Sequence, residues 1–132
     1  MPHLVIEYSE NLEDELDIAA LVGAIHRAGC SCPTVATAAL KTRAIGYRHQ
    51  LCADGDPAYR FVALTMRLLD GRSDDQKKQI GDILFAALEE ATAGVDRTAG
   101  FALSLDLAEM DQTTYRKEHN FDGLMARKAD IE

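Results

Sequence analysis

Several things are scarce or missing in this chain of 132 residues. It lacks a surplus of positive charge: 22 acidic residues outweigh 14 basic ones, for a net charge of −8 and an isoelectric point near 4.9. Such a surface repels phosphate backbones, which excludes nucleic acid as the expected partner. An anionic substrate would need the few cations gathered in one place. There is no apolar run long enough to span a bilayer, and no basic stretch followed by an apolar one at the start, so a cytoplasmic location is expected and no membrane association. Cysteine is scarce and odd in number, at Cys30, Cys32 and Cys52. Reduced, packed thiols are therefore expected rather than a disulfide framework. Cys30 and Cys32 with His26 nearby lack the C-x-x-C spacing and a second pair, so no metal site is expected.

What is present is ordinary globular material. Hydrophobic residues make up 47% and charged residues 27%, enough for one domain over 1–132 with a real core. Residues 3–8 alternate, with Leu4, Ile6 and Tyr8 on one face and His3, Val5 and Glu7 on the other, which predicts a strand. From Glu13 to about Ala28, Ile18, Leu21, Val22 and Ile25 recur at helical spacing, with Gly29 as the expected stop. A second strand is expected over about 39–51, bent or bulged at Gly46. Ala53-Asp54-Gly55-Asp56-Pro57 is turn chemistry.

The order then repeats. Val62, Leu64, Met66 and Leu68 alternate in a third strand. Ser73 and Gln76 form a capping-box signature ahead of a helix carrying Ile80, Ile83, Leu84 and Leu88, with Gly94 or Gly100 marking its exit. Phe101, Leu103, Leu105 and Leu107 alternate in the last strand. The pseudo-repeats are 2–57 and 58–110, followed by a tail over 111–132 in which Phe121, Leu124 and Met125 suit a docking turn or helix. Two β-α-β units predict an α+β fold: a four-stranded sheet, parallel within each unit, with helices on one face. The other face also carries Val5, Phe61, Ala63, Ala102 and Ala108, so self-association is expected to cover it.

The second residue is the chemically suggestive one. Removal of the initiator methionine exposes Pro2 as a secondary amine. A terminal amine backed by an apolar strand is easily desolvated, which lowers its pKa from about 7.7–8.0 toward that of a neutral-pH base. Proline is equally tolerated as the first residue of an edge strand, with no chemistry attached.

Pro2-His3-Leu4-Val5-Ile6-Glu7-Tyr8-Ser9, Ala53-Asp54-Gly55, Phe61-Val62, Gly71-Arg72-Ser73, Leu84-Phe85 and the stretch 103–110, with Tyr115-Arg116-Lys117 and Asn120 after it, closely resemble the 5-carboxymethyl-2-hydroxymuconate Δ-isomerase family of the tautomerase superfamily. That resemblance implies a homotrimer with no metal or organic cofactor. It implies an isomerase moving a proton on an unsaturated 2-hydroxy (enol) di- or tricarboxylic acid in the breakdown of aromatic compounds. Pro2 would be the base and Arg72 the second of two assisting arginines. The first falls on Lys41, with Arg43 two residues further along the same strand face. Lysine is a compact point charge where arginine is a planar fork. Either Lys41 keeps the electrostatic part of the substrate-binding role, or Arg43 takes it over. Tyr8 and Tyr47 are candidate walls. The competing readings are a tautomerase for another enol acid and a ferredoxin-like ligand-binding or assembly module in which Pro2 is incidental.

Overall fold

Four segments are strands in the computed structural model, which describes residues 1–131: β1 (His3–Ser9), β2 (Lys41–Tyr47), β3 (Arg60–Leu69) and β4 (Phe101–Met110). They form one sheet in the order β2-β1-β3-β4. β1 pairs parallel with β2 and β3 parallel with β4, while β1 and β3 meet antiparallel at the centre. This is the expected pair of β-α-β units, set side by side in opposite directions. Leu4, Ile6, Tyr8, Val62, Leu64, Met66 and Leu68 all face inward and are buried. Against them pack α1 (Ile18–Ser31), through Leu21 and Ile25, and α2 (Asp74–Ala91), through Ile80, Leu84 and Leu88.

The second helix starts where the capping box predicts. The Ser73 hydroxyl accepts from Gln76 N at 3.2 Å, and the Gln76 carboxamide accepts from Ser73 N at 2.9 Å, satisfying two amides that no helical carbonyl reaches. It ends at Ala91, before either expected glycine, where the buried Thr92 hydroxyl donates back to Leu88 O at 2.8 Å.

Four further expectations are corrected. The first helix begins at Ile18 rather than Glu13. A 3-10 turn over Glu10–Asp14 comes first, and Asp17 caps the helix by accepting from Ala20 N at 3.1 Å. Gly29 does not stop that helix, which runs to Ser31. A Cβ on Gly29 would lie 2.7 Å from Leu4 Cδ1 and 2.8 Å from Leu40 Cδ2, so glycine there lets helix and sheet approach closely. Gly46 is no bulge, because the ladder runs through it unbroken with Tyr8 as its partner. A Cβ on Gly46 would meet the Tyr8 ring at 2.8–2.9 Å. The missing side chain makes room for Tyr8, whose hydroxyl donates to Glu13 at 2.8 Å and whose pKa is pushed up to about 12, by burial first and by Glu13 second. Tyr8 is thus a core residue rather than a pocket wall.

At the end of the sheet where β3 begins, Arg60 is only 5% exposed. Its guanidinium pairs with Glu15 and donates to the carbonyls of Asp96, Ala99 and Gly100. The Arg60 hydrogen bond holds the Glu15 carboxyl below its usual pKa. A depressed carboxyl contributes stability above its unfolded-state pKa and loses it as pH falls through the folded value. Glu15→Ala leaves a buried cation short of its counter-ion and should cost about 2–3 kcal/mol. Urea melts at pH 7 should show that loss, and the gap to wild type should close as the acid range is entered.

The remaining sheet face carries no helix. It presents Val5, Phe61, Ala63 and Ala102 beside polar pairs, among them Arg43 on His3 and Tyr47 on Glu7. After β4, the tail turns at Asp111 and ends in α3 (Phe121–Ile131), packed beside a 3-10 turn at Thr37–Ala39. Phe121, Leu124 and Met125 do sit in a docking helix, although each remains 39–45% exposed.

Candidate active site

Pro2 stands just before β1 and is itself buried. Its carbonyl accepts from Lys41 N at 3.2 Å, which ties the start of β1 to the start of β2 and brings Lys41 beside the chain terminus. Because β3 runs antiparallel to β1, its far end comes to the same place and delivers Leu69 and the turn Asp70-Gly71-Arg72. Gly71 takes φ 112°, a conformation open to glycine and strained for other residues, and this swings Arg72 back over the sheet end. A cavity of about 160 Å³ results, lined by Met1, Pro2, Thr34, Leu69, Arg72 and Lys117, with Ala36 and Ala39 as small walls.

Arg72 is held firmly. Its Nε donates to Thr34 Oγ1 at 2.9 Å, one Nη to Thr34 O at 2.7 Å and the other Nη to Leu69 O at 3.3 Å. A guanidinium has five N–H donors; three are engaged here, so two remain for a ligand. Thr34 adopts φ 65°, a left-handed conformation unfavourable for a β-branched residue and typically costing about 1–3 kcal/mol. The bonds from Arg72 help to hold it there.

Lys41 stands beside Met1 but, like Arg43 below, is not among the residues that line the cavity. Its Nζ is 3.7 Å from Met1 Sδ and 5.2 Å from the centroid of the Phe121 ring, a cation–π contact with α3. Arg43 is placed elsewhere: exposed on the open sheet face, it donates to His3 Nδ1 at 3.1 Å and does not line the cavity. Burial and the cations Arg43, Lys41 and Arg67 lower the His3 pKa, keeping the imidazole uncharged at neutral pH. Tyr47 donates to Glu7 at 2.9 Å and is likewise absent from the cavity wall.

The Met1 amine, one residue ahead of Pro2, has its pKa lowered from 8.0, first by burial and then by Lys117, Lys41 and Arg72 in that order. Each of these disfavours the ammonium form. Lys117 is the residue that pattern analysis did not pick out as part of the site. It lies in an irregular tail with no periodicity to place it, and the only signal was its presence in the family-like stretch Tyr115-Arg116-Lys117.

Larger depressions exist. One of about 440 Å³ lies beyond the C-terminal ends of β1 and β2, bounded by Glu10, Glu13, Asp14 and Asp56 with Arg48. Its acidic rim is ill suited to an anion. Cys32 is buried with its thiol 3.4 Å from Ala28 O, and His26 bonds Thr42 Oγ1 at 2.7 Å. Among the described residues no group of three or more His, Cys, Asp or Glu side chains gathers as a metal site, and no helix is long and apolar enough to cross a membrane.

The sequence model of the 5-carboxymethyl-2-hydroxymuconate isomerase family matches residues 2–125. The chain belongs to that family. It is an isomerase. The 5-carboxymethyl-2-hydroxymuconate Delta-isomerase of Escherichia coli is 27% identical over 124 residues, covering 94% of this chain and 98% of the relative. A crystal structure of a 5-carboxymethyl-2-hydroxymuconate isomerase from Deinococcus radiodurans R1 superposes with a TM-score of 0.85 at 28% identity, over 94% of this chain and 93% of that one. The tautomerase fold extends further: a fused 4-OT protein described as a symmetric trimer aligns at a TM-score of 0.69 and 15% identity, over 89% of this chain and 93% of that one. The isomerase thus shares the four-stranded mixed sheet and helix arrangement of these structures, with Pro2 at one end of its central strand pair.

Proposed function

We propose that this isomerase, once its initiator methionine is removed, uses the secondary amine of Pro2 as a base to move a proton along an unsaturated 2-hydroxy di- or tricarboxylic acid such as 5-carboxymethyl-2-hydroxymuconate. Pro2 takes the proton of the 2-hydroxyl and returns it at a distant carbon of the conjugated system, so one group serves as base and then as acid. Arg72 directs its two remaining N–H donors at a carboxylate or at the oxygen where charge develops. Lys41 adds positive potential from beside the start of the chain. No metal or organic cofactor enters this scheme. The reaction belongs to the breakdown of aromatic compounds, and the working form is a homotrimer in which the uncovered sheet face packs against other copies. The apolar residues Val5, Phe61 and Ala63 on that face, and Leu51 at 86% exposure, support association.

The observation that carries the reading is the gathering of Pro2, Arg72 and Lys117 in one cavity, where cations disfavour the protonated form of an amine. A lysine at position 41 favours a second reading within the same chemistry, in which the natural substrate is a different enol acid. The test is an activity panel of enol acids, run on protein whose intact mass shows Pro2 first and on the same chain with a short N-terminal extension. Turnover should be present in the first and absent in the second, since the extension converts the amine into an amide. Equal turnover in both would remove Pro2 from the mechanism.

A further inference from the structure

Met1 acts as an internal probe of the space in front of Pro2. Its backbone and side chain occupy the region that a substrate must enter, so the groups facing it are those a substrate would meet. Two of the groups around it come from neither β-α-β unit. The Tyr115 hydroxyl stands 3.5 Å from Met1 O, and Lys117 lines the cavity together with Pro2 and Arg72.

The segment bearing them is anchored at both ends. On one side, Tyr115 N donates to Asp111 O at 3.1 Å, Thr113 N donates to Asp111 Oδ1 at 2.8 Å, and the Gln112 carboxamide donates to Asp70 O at 2.6 Å, next to the turn that carries Arg72. On the other side, α3 packs beside Thr37–Ala39, and Phe121 lies under the Lys41 ammonium. Residues 116–120 therefore run from near the turn that carries Arg72 toward Lys41, and Lys117 on this segment lines the cavity.

The charges do not cancel locally. Among the described residues, none of Lys41, Arg72 or Lys117 makes an ion pair within 4.0 Å, whereas Arg60, Lys77 and Lys78 all do. In a chain of net charge −8, two cations without counter-ions lining one small cavity, with Lys41 beside Met1 nearby, are matched by a ligand with more than one negative charge. A single carboxylate engages Arg72 and leaves the tail lysine without a partner.

We propose that the C-terminal tail completes the substrate site, and that Lys117 determines specificity by pairing with the second carboxylate of a dicarboxylate substrate. The proposal deepens the proline-base reading and rests on it for the location of the substrate, but its test reads binding rather than turnover. The probes are (E,E)-muconate and sorbate, which share one conjugated six-carbon skeleton and differ by a carboxylate in place of a methyl group. Dissociation constants would be measured by NMR titration on the chain beginning at Pro2, for wild type and for Lys117→Ala, Lys117→Arg and Lys128→Ala. Lys117 is exposed, so its truncation removes no core contact, and circular dichroism checks the fold. Wild type should prefer muconate by about tenfold or more, a typical gain for a well-placed charged hydrogen bond. Lys117→Ala should reduce that preference to within about twofold, and Lys117→Arg should largely keep it. Lys128→Ala, which alters net charge equally from outside this cavity, should leave it unchanged. A wild type indifferent to the second carboxylate, or a Lys117→Ala protein with the preference intact, overturns the proposal. Neither result bears on whether Pro2 is the base, which the blocked-terminus assay decides separately.

Discussion

Pro2→Ala in the processed chain should lower kcat by about 10²–10⁴, the range associated with a positioned general base, while changing KM little. The alanine variant still offers a primary amine at the terminus. A residual rate above background is therefore expected, and acetylation of that amine should abolish it. Loss of the conjugated dienol absorbance under saturating substrate is the direct measurement. The pH dependence provides an independent check. Only the unprotonated amine accepts a proton, so kcat/KM rises with pH through the pKa of this group. At the Met1 amine, one residue ahead, burial and the cations Lys117, Lys41 and Arg72 lower the pKa from 8.0; the same surroundings acting on Pro2 should move the acid limb of the profile downward. Removing any of these charges should move the limb back up. A limb centred at or above the ordinary amine value in wild type would contradict the electrostatic account.

Arg72→Ala is expected to cost about 10²–10³ in kcat, the usual effect of deleting one fixed donor from a charge-stabilising site, and to raise KM as well because a carboxylate contact is lost. Arg72→Lys should recover little. The guanidinium reaches two atoms of Thr34 and the Leu69 carbonyl while keeping two donors free, and an ammonium cannot reproduce that fork. The substitution also releases Thr34 from the bonds that hold its positive φ, so the loop 32–36 should gain amide exchange in the variant. Steady-state kinetics and hydrogen exchange together separate lost chemistry from lost positioning. A silent Arg72→Ala would reject its assignment.

Legibility in the sequence followed the range of the interaction involved. Strand alternation and the Ser73 capping box depend on residues a few positions apart, and both appear in the structure as expected. The two glycines were misread for the opposite reason. A glycine at the end of an apolar stripe suggests a helix stop, and one inside a strand suggests a bulge. At Gly29 and Gly46, however, the missing side chain accommodates Leu4, Leu40 and Tyr8, contacts that exist only after packing. The start of α1 moved for a local reason that competed with the apolar pattern: residues 10–14 close a 3-10 turn, and Asp17 offers a better cap than the acidic run before it.

The candidate site divides in the same way. Pro2, Arg72 and Lys41 were legible because the family-like motifs mark their positions. Arg43 shares a strand face with Lys41, but that face continues onto the uncovered side of the sheet, where His3 engages it. The amino-acid order alone determined the alternating strands, the capping-box start of α2, the paired β-α-β units and the proline in second place, since each follows from backbone geometry over short spans. Only tertiary structure decided which cations surround the terminus. The antiparallel meeting of β1 and β3 brings positions 2 and 72 together, and the docking of α3 carries Lys117 across. Charges from opposite ends of the chain become neighbours only when burial of the core closes the loops between them.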